Sequence, residues 1–330
     1  MRKITLLFTL LLFLSLLFDF NKTAYTWGFF AHKKINRMAV FTLPPEMIGF
    51  YKKNIEFVTE HAVDPDKRRY AVEGEAQRHF IDLDHYVNKN ENIFEIMPKK
   101  WADAVSKYTE DTLQTYGIVP WHIDVMVKKL THAFKEKNID RILSLSADLG
   151  HYVGDAHVPL HTTKNYNGQY TNQRGIHGFW ESRIPELLSE DYDYFVGKAK
   201  YISYPLDLSW NAVEQSFNAK DSVLELEKTL NEIFPSDQKY SIEDRGRTTM
   251  KVYSKEYSLK YNDMLNGMVE RRMRETIIAI GSLWYTAWIN AGQPNLNELI
   301  GLKPSEEFEK EQAELEKLYQ NSKIKGRGCE

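Results

Sequence analysis

Apolar residues recur at three- and four-residue intervals along most of the chain, the pattern of helices buried by one face. Pro44 and Pro45 sit where a helix would begin, and the spacing predicts a helix from Glu46 to Glu60. Lys100 to Tyr116 reads as a second helix, stopped by Gly117. Pro120 opens a third, running to about Glu136, and a fourth spans Asn138 to about Asp155, with Pro159 ending it. Ser209 to Phe234 predicts one or two more. Lys251 to Ala291 reads as a long helical run broken near Gly267. Its aromatics (Tyr253, Tyr257, Tyr261, then Trp284 and Trp288) fall at helical spacing and are expected in the core. Strand signals are scarce. Asn165 to Gly175 reads as a glycine-rich loop with room for a short hairpin, and Pro304 to Lys323 as a charged helix with few apolar positions. The fold class is therefore all-α, a single mainly helical domain over residues 27–303, followed by a charged C-terminal helix and frayed tail over 304–330.

The first residues change the picture. Arg2 and Lys3 precede an almost purely apolar run from Ile4 to Phe18, shorter than the roughly 20 residues a membrane span needs. Ala24 and Thr26 precede Trp27, so residues 1–26 are expected to be a signal peptide removed on export, giving a secreted or periplasmic protein. The formal charge of the whole chain is −3, and removing the leader's three cations and one acid leaves about −5. Such a chain does not wrap nucleic acid with a basic surface. If it handles phosphate, local cations must do so, and bound metal would serve. Cys329 is the one cysteine, so no internal disulfide forms. No protein partner is evident, and a monomer is expected.

The candidate chemistry lies in a dispersed set of histidines and carboxylates: His32, Asp64, His79, His151 with Asp155, His161, and His177 with Glu181. The pairs His151/Asp155 and His177/Glu181 are four residues apart, which on a helix puts both side chains on one face, within reach of one ion. Imidazole and carboxylate are the ligands of a zinc ion without thiolate. A structural zinc takes four ligands in one compact cluster; this larger set implies several ions with open positions, and hence catalysis. A lone histidine is ordinarily a surface or core residue, and His61, His85, His122, His132 and His157 keep that reading. His157, six residues past His151, points away from the paired face. Asp66 and Asp84 read as solvated neighbours or as acceptors supporting the ligands.

The series Trp27…His32, Asp64, His79, His151…Asp155, His161 and His177…Glu181 resembles the metal ligands of the secreted trinuclear-zinc superfamily. That superfamily holds the single-strand-preferring nucleases (the S-one/P-one type) and the bacterial zinc-dependent phospholipases C. The resemblance implies three zinc ions per chain. The α-amino group and carbonyl of a mature Trp27 would bind one, with His32 beside it. Asp64, His79 and His151 would hold a second, with Asp155 bridging the two. His161, His177 and Glu181 would hold the third. Asp82, three residues after His79, matches the carboxylate that orients the attacking water, and Phe80 an aromatic lining the substrate cleft. Lys67 and Arg68 fall where some nucleases place a basic residue near phosphate, with the choice between them open.

Within the superfamily, the five-residue interval from Trp27 to His32 and the length of 304 residues after the leader resemble the nucleases. Glu181, where nucleases typically carry Asp, and a short interval from His161 to His177 resemble the phospholipases. The expectation is a nuclease cutting single-stranded DNA or RNA to 5′-phosphate products. The alternatives are a phospholipase C acting on phospholipid head groups and an inactive metal-stabilised binding protein.

Overall fold

The computed structural model describes residues 28–88, 91–245 and 248–321. Trp27, the leader and Cys329 lie outside these. Twelve principal helices are α1 (Phe29–Ala39), α2 (Pro45–Lys53), α3 (Ile55–Glu60), α4 (Asp64–Arg68), α5 (Trp101–Tyr108), α6 (Glu110–Tyr116), α7 (Val119–Glu136), α8 (Ile139–Ala156), α9 (Pro205–Ile233), α10 (Lys255–Met264), α11 (Met268–Asn290) and α12 (Glu306–Asn321). One antiparallel hairpin, β1 (Tyr240–Arg245) and β2 (Thr248–Tyr253), pairs Tyr240 with Tyr253. The all-α reading holds. No helix among the described residues is long and apolar enough to cross a membrane.

Helix α8 is the axis of the molecule, touching α1, α3, α7, α9 and α11. Its start is set by Asn138, whose Oδ1 accepts from Arg141 N at 3.1 Å, just after Lys137 closes α7 in the left-handed conformation (φ 51°). Its second half, Leu149 to Ala156, is buried without interruption. That burial depends on Gly150. A Cβ there would lie 1.9 Å from Asn36 Oδ1 of α1, so only glycine admits this crossing. The Asn36 amide then donates to Ala147 O and Val58 O, locking α1 and α3 onto α8.

The α11 aromatics are core, as their spacing predicts. Trp284 stacks on Tyr51 at 4.9 Å and donates to Ser146 O. Tyr253, Tyr257 and Tyr261 stack against Phe179 at 3.8–5.7 Å, backing the segment that carries Glu181.

The sequence reading and the structure differ in three places. The expected helix over 46–60 breaks at Asn54, and the one over 100–116 breaks at Thr109, where φ is 69°. Residues 251–253, read as the start of a long helix, belong to β2, and the helix begins at Lys255 after Ser254 caps it. The break near Gly267 is present, with Gly267 at φ 70°. Asn165 to Gly175 is a loop without strand pairing. Helix α12 buries none of its residues, and seats on the body through Glu316–Lys67 at 3.0 Å and the rings Tyr319–Tyr70 and Phe308–Phe57.

Candidate metal centre

Six short stretches deliver the histidines and carboxylates to one buried place. Helix α1 brings His32, α4 brings Asp66, and a single turn over Ala76–His79 brings His79. The buried half of α8 brings His151 and Asp155, one turn apart. Pro159 starts a short turn that returns His161 to the same wall. His177 follows Gly175, whose φ of 94° turns the chain into a helical start, and Glu181 sits in a π-helical turn over Phe179–Arg183.

Three groups of ligand atoms result among the described residues, and within each the atoms lie within 4.8 Å of one another: His32, Asp66 and His151; His79, His151 and Asp155; His161, His177 and Glu181. All these residues are at most 4% exposed. His32 and His151 stack at 3.9 Å between ring centroids. Asp155 lies between groups: its Oδ1 is 3.5 Å from His32 Nε2 and 3.8 Å from His161 Nδ1, and its Oδ2 is 2.9 Å from His79 Nδ1 and 3.2 Å from His151 Nε2. Glu181 Oε2 is 3.0 Å from His177 Nε2 and 3.4 Å from His161 Nε2.

The ring nitrogens facing away from the groups are committed. His151 Nδ1 donates to Ala62 O at 2.8 Å, His161 Nδ1 to His79 O at 2.6 Å, and His177 Nδ1 to Tyr166 O at 2.9 Å. Each bond fixes a tautomer that presents Nε2 inward, as metal-ligating imidazoles require. The donor set fits zinc on this structure's own terms. His161 Nε2 and both Glu181 oxygens are buried and make no hydrogen bond. Buried polar atoms in that state are costly unless an ion takes them.

Charge supports the same conclusion. Burial would raise Asp155, Asp66 and Glu181, but the surrounding histidines hold all three carboxyls below their ordinary values. Burial would lower His151, but Asp155 and Asp66 outweigh it and push it up to about 9. His32 is lowered, by burial and by His151. Ionised carboxylates thus face imidazoles that carry protons a cation would displace.

The structure sets one expected ligand apart. Asp64 is in none of the groups; its carboxylate sits 2.6 Å from His61 Nδ1 and 3.3 Å from Lys67 Nζ. Asp66 lies in the first group instead. The two are separated by about 200° around the first turn of α4, so only one can face inward. Asp66, read as a neighbour, is 4% exposed, and its Oδ1 is 3.8 Å from both His79 Nδ1 and His151 Nε2. Asp84 clamps a loop, accepting from Thr163 Oγ1 and Lys164 N.

The remaining expected residues surround the groups. Asp82 is 7% exposed, on a segment pinned by Ile81 N to His161 O and by its own N–H to Tyr116 O. It belongs to no metal group. Phe80 is 8% exposed and packs against Gly117, where a Cβ would meet the Phe80 carbonyl at 2.2 Å. Arg68 is turned inward, paired with Asp148 at 2.8 Å. Lys67 lies between Asp64 and Glu316. Sequence reasoning missed Glu75, fully buried against His79. It stands four residues before His79, the same spacing that flagged the other two pairs.

Comparison with curated proteins returns no match. A family model described as zinc dependent phospholipase C matches residues 31–239, which include every residue of the three groups and nearly two thirds of the chain; the chain belongs to that family.

Proposed function

We propose that this chain is a secreted nuclease that binds three zinc ions and cuts single-stranded DNA or RNA to 5′-phosphate products. Family membership makes it a zinc hydrolase of phosphodiester type. The observation that carries the reading further is Asp155, whose two oxygens reach toward separate groups, so that ions held there would share a carboxylate and act on one phosphate. The nuclease branch rests on the interval from Trp27 to His32. When bound, zinc supplies Lewis-acid activation of water and neutralises the phosphate charge.

The chain's own residues supply the rest. His32, Asp66, His79 and His151, with Asp155 between them, would hold two ions, and His161, His177 and Glu181 would hold a third, supplying positive charge to offset that of the departing 3′-oxygen. Asp82 accepts a hydrogen bond from the attacking water and aims it in line with the P–O3′ bond that breaks. Lys67, the less committed of the two candidate cations, meets the substrate phosphate. Removal of residues 1–26 would free the Trp27 amine, so export would complete the site.

Two observations favour a second reading, a phospholipase C: Glu181 in the third group, and a family description that names that activity. A panel on protein beginning at Trp27 separates them. Single-stranded DNA and RNA should be cut, with 5′-phosphate ends and complete loss under chelator. Faster cleavage of phosphatidylcholine than of nucleic acid would overturn the nuclease branch. Asp82→Asn should keep its zinc while turnover falls on the order of 10²–10⁴; a normal rate removes Asp82 from the reaction.

A further inference from the structure

Four histidines of the centre are not held alike on their outward side. His151, His161 and His177 each give Nδ1–H to a main-chain carbonyl and present Nε2 inward. His79 is reversed. Its Nδ1 is the inward nitrogen, 2.9 Å from Asp155 Oδ2 and 3.1 Å from His151 Nε2. Its Nε2 points away and is buried, and what faces it is the Glu75 carboxylate, with Oε1 at 3.7 Å.

Glu75 is itself fully buried. A carboxylate in that position is tolerated only with partners, and it has them. The Tyr152 hydroxyl donates to Oε1. Arg78 Nη1 donates to Oε2 at 2.6 Å, and Arg68 Nε lies 3.6 Å from the same oxygen. Arg68 is fixed in turn by Asp148 and by Tyr152. The network leaves Glu75 held from three sides, with its fourth turned to His79. A ring shift of less than about 1 Å would bring Nε2 into hydrogen-bond range.

We propose that Glu75 is a positioning residue of the metal centre: it accepts a hydrogen bond from the Nε2–H of His79, and so fixes the one tautomer that offers Nδ1 to an ion shared with His151 and Asp155. Arg68, Tyr152 and Asp148 brace the carboxylate. The chemistry is that of a histidine whose outward N–H meets a carboxylate, which orients the ring and raises its basicity as a ligand. The proposal rests on the reading of these groups as zinc sites, but part of its test does not.

The test uses the chain from Trp27 with imidazole ¹⁵N labelling, as wild type, Glu75→Gln and Glu75→Asp. In metal-free wild type the His79 Nε2 proton should appear as a protected, low-field signal. Glu75→Gln should shift it upfield and let His79 sample both tautomers, while His161 and His177 stay as they were. Competition against a chromophoric chelator should then give a 10–100-fold loss of zinc affinity in Glu75→Gln. Glu75→Asp, which keeps the charge, should recover the wild-type tautomer and most of the affinity; it also serves if the Gln variant fails to fold. An unchanged His79 signal in folded Glu75→Gln, or equal losses in the Gln and Asp variants, would reduce Glu75 to a partner of the arginines. A wild-type protein that takes up no zinc would sink the metal reading, while the metal-free signals still decide the role of Glu75.

Discussion

Asp64 and Asp66 differ by two positions and by everything that matters to an ion. Asp66 is drawn into the centre by His79 and His151, whereas Asp64 is occupied by His61 and Lys67. Asp66→Asn should therefore lower bound zinc by about one ion per chain in elemental analysis, and Asp64→Asn should leave zinc content unchanged; the opposite ranking would restore Asp64 as the ligand. The choice was not legible in the sequence, because the two carboxylates flank Pro65 and only the phase of a five-residue helix separates them. His157 carries a different prediction. It is buried beneath α11, with Nδ1 donating to Val153 O and its carbonyl accepting from Arg272 Nε. Burial and the neighbouring Arg272 push its pKa down to about 3. A folded-state value below the unfolded 6.5 means the unfolded chain takes up the proton first, so stability is full above pH 6.5 and is lost as pH falls toward 3. Near pH 4 the loss is ~3 kcal/mol. His157→Gln should flatten the acid limb of a stability-versus-pH curve by about one proton while keeping zinc content; an unchanged limb would contradict the assignment.

At the scale of elements, what the sequence made legible were helices with local punctuation. Pro120 and Asn138 place α7 and α8 within a residue or two, and the two four-residue ligand pairs were readable because each sits on continuous helical backbone, within α8 for one and across a helical start and its π-turn for the other. What it concealed lacked such marks. Thr109 adopts φ 69° with neither glycine nor proline to announce it. The hairpin was hidden because Tyr253, Tyr257 and Tyr261 keep helical spacing across a strand–helix junction, all three converging on Phe179. The crossing of α1 over α8 is the junction most exposed to test. Gly150→Ala would put a methyl onto Asn36, which must abandon Ala147 O and Val58 O. A loss of about 1–3 kcal/mol follows from the displaced buried amide. Because α1 carries His32, zinc content should fall as well. Wild-type melting with full zinc in this variant would show that the crossing can relax.

For the molecule as a whole, one apolar core runs from Ala31 to Leu299 around a centre built largely of charge. The ligands come from positions as far apart as His32 and Glu181, so no part of the chain holds the centre before the helices have assembled. Bound ions then contribute folding free energy. Chelation should lower the melting temperature by several degrees, with the smaller loss at low pH, where protons already compete with the ion for the imidazoles; a melting temperature indifferent to chelator would argue against metal in these groups. The uninterrupted burial of α8 from Leu149 to Ala156 has a consequence in time. The helix walls an ion held by His151 and Asp155 on one side, so exchange would run through the face that admits substrate. A chelator should then draw the ion out at a rate that rises with chelator concentration; a rate indifferent to excess chelator would mean that the fold must open first.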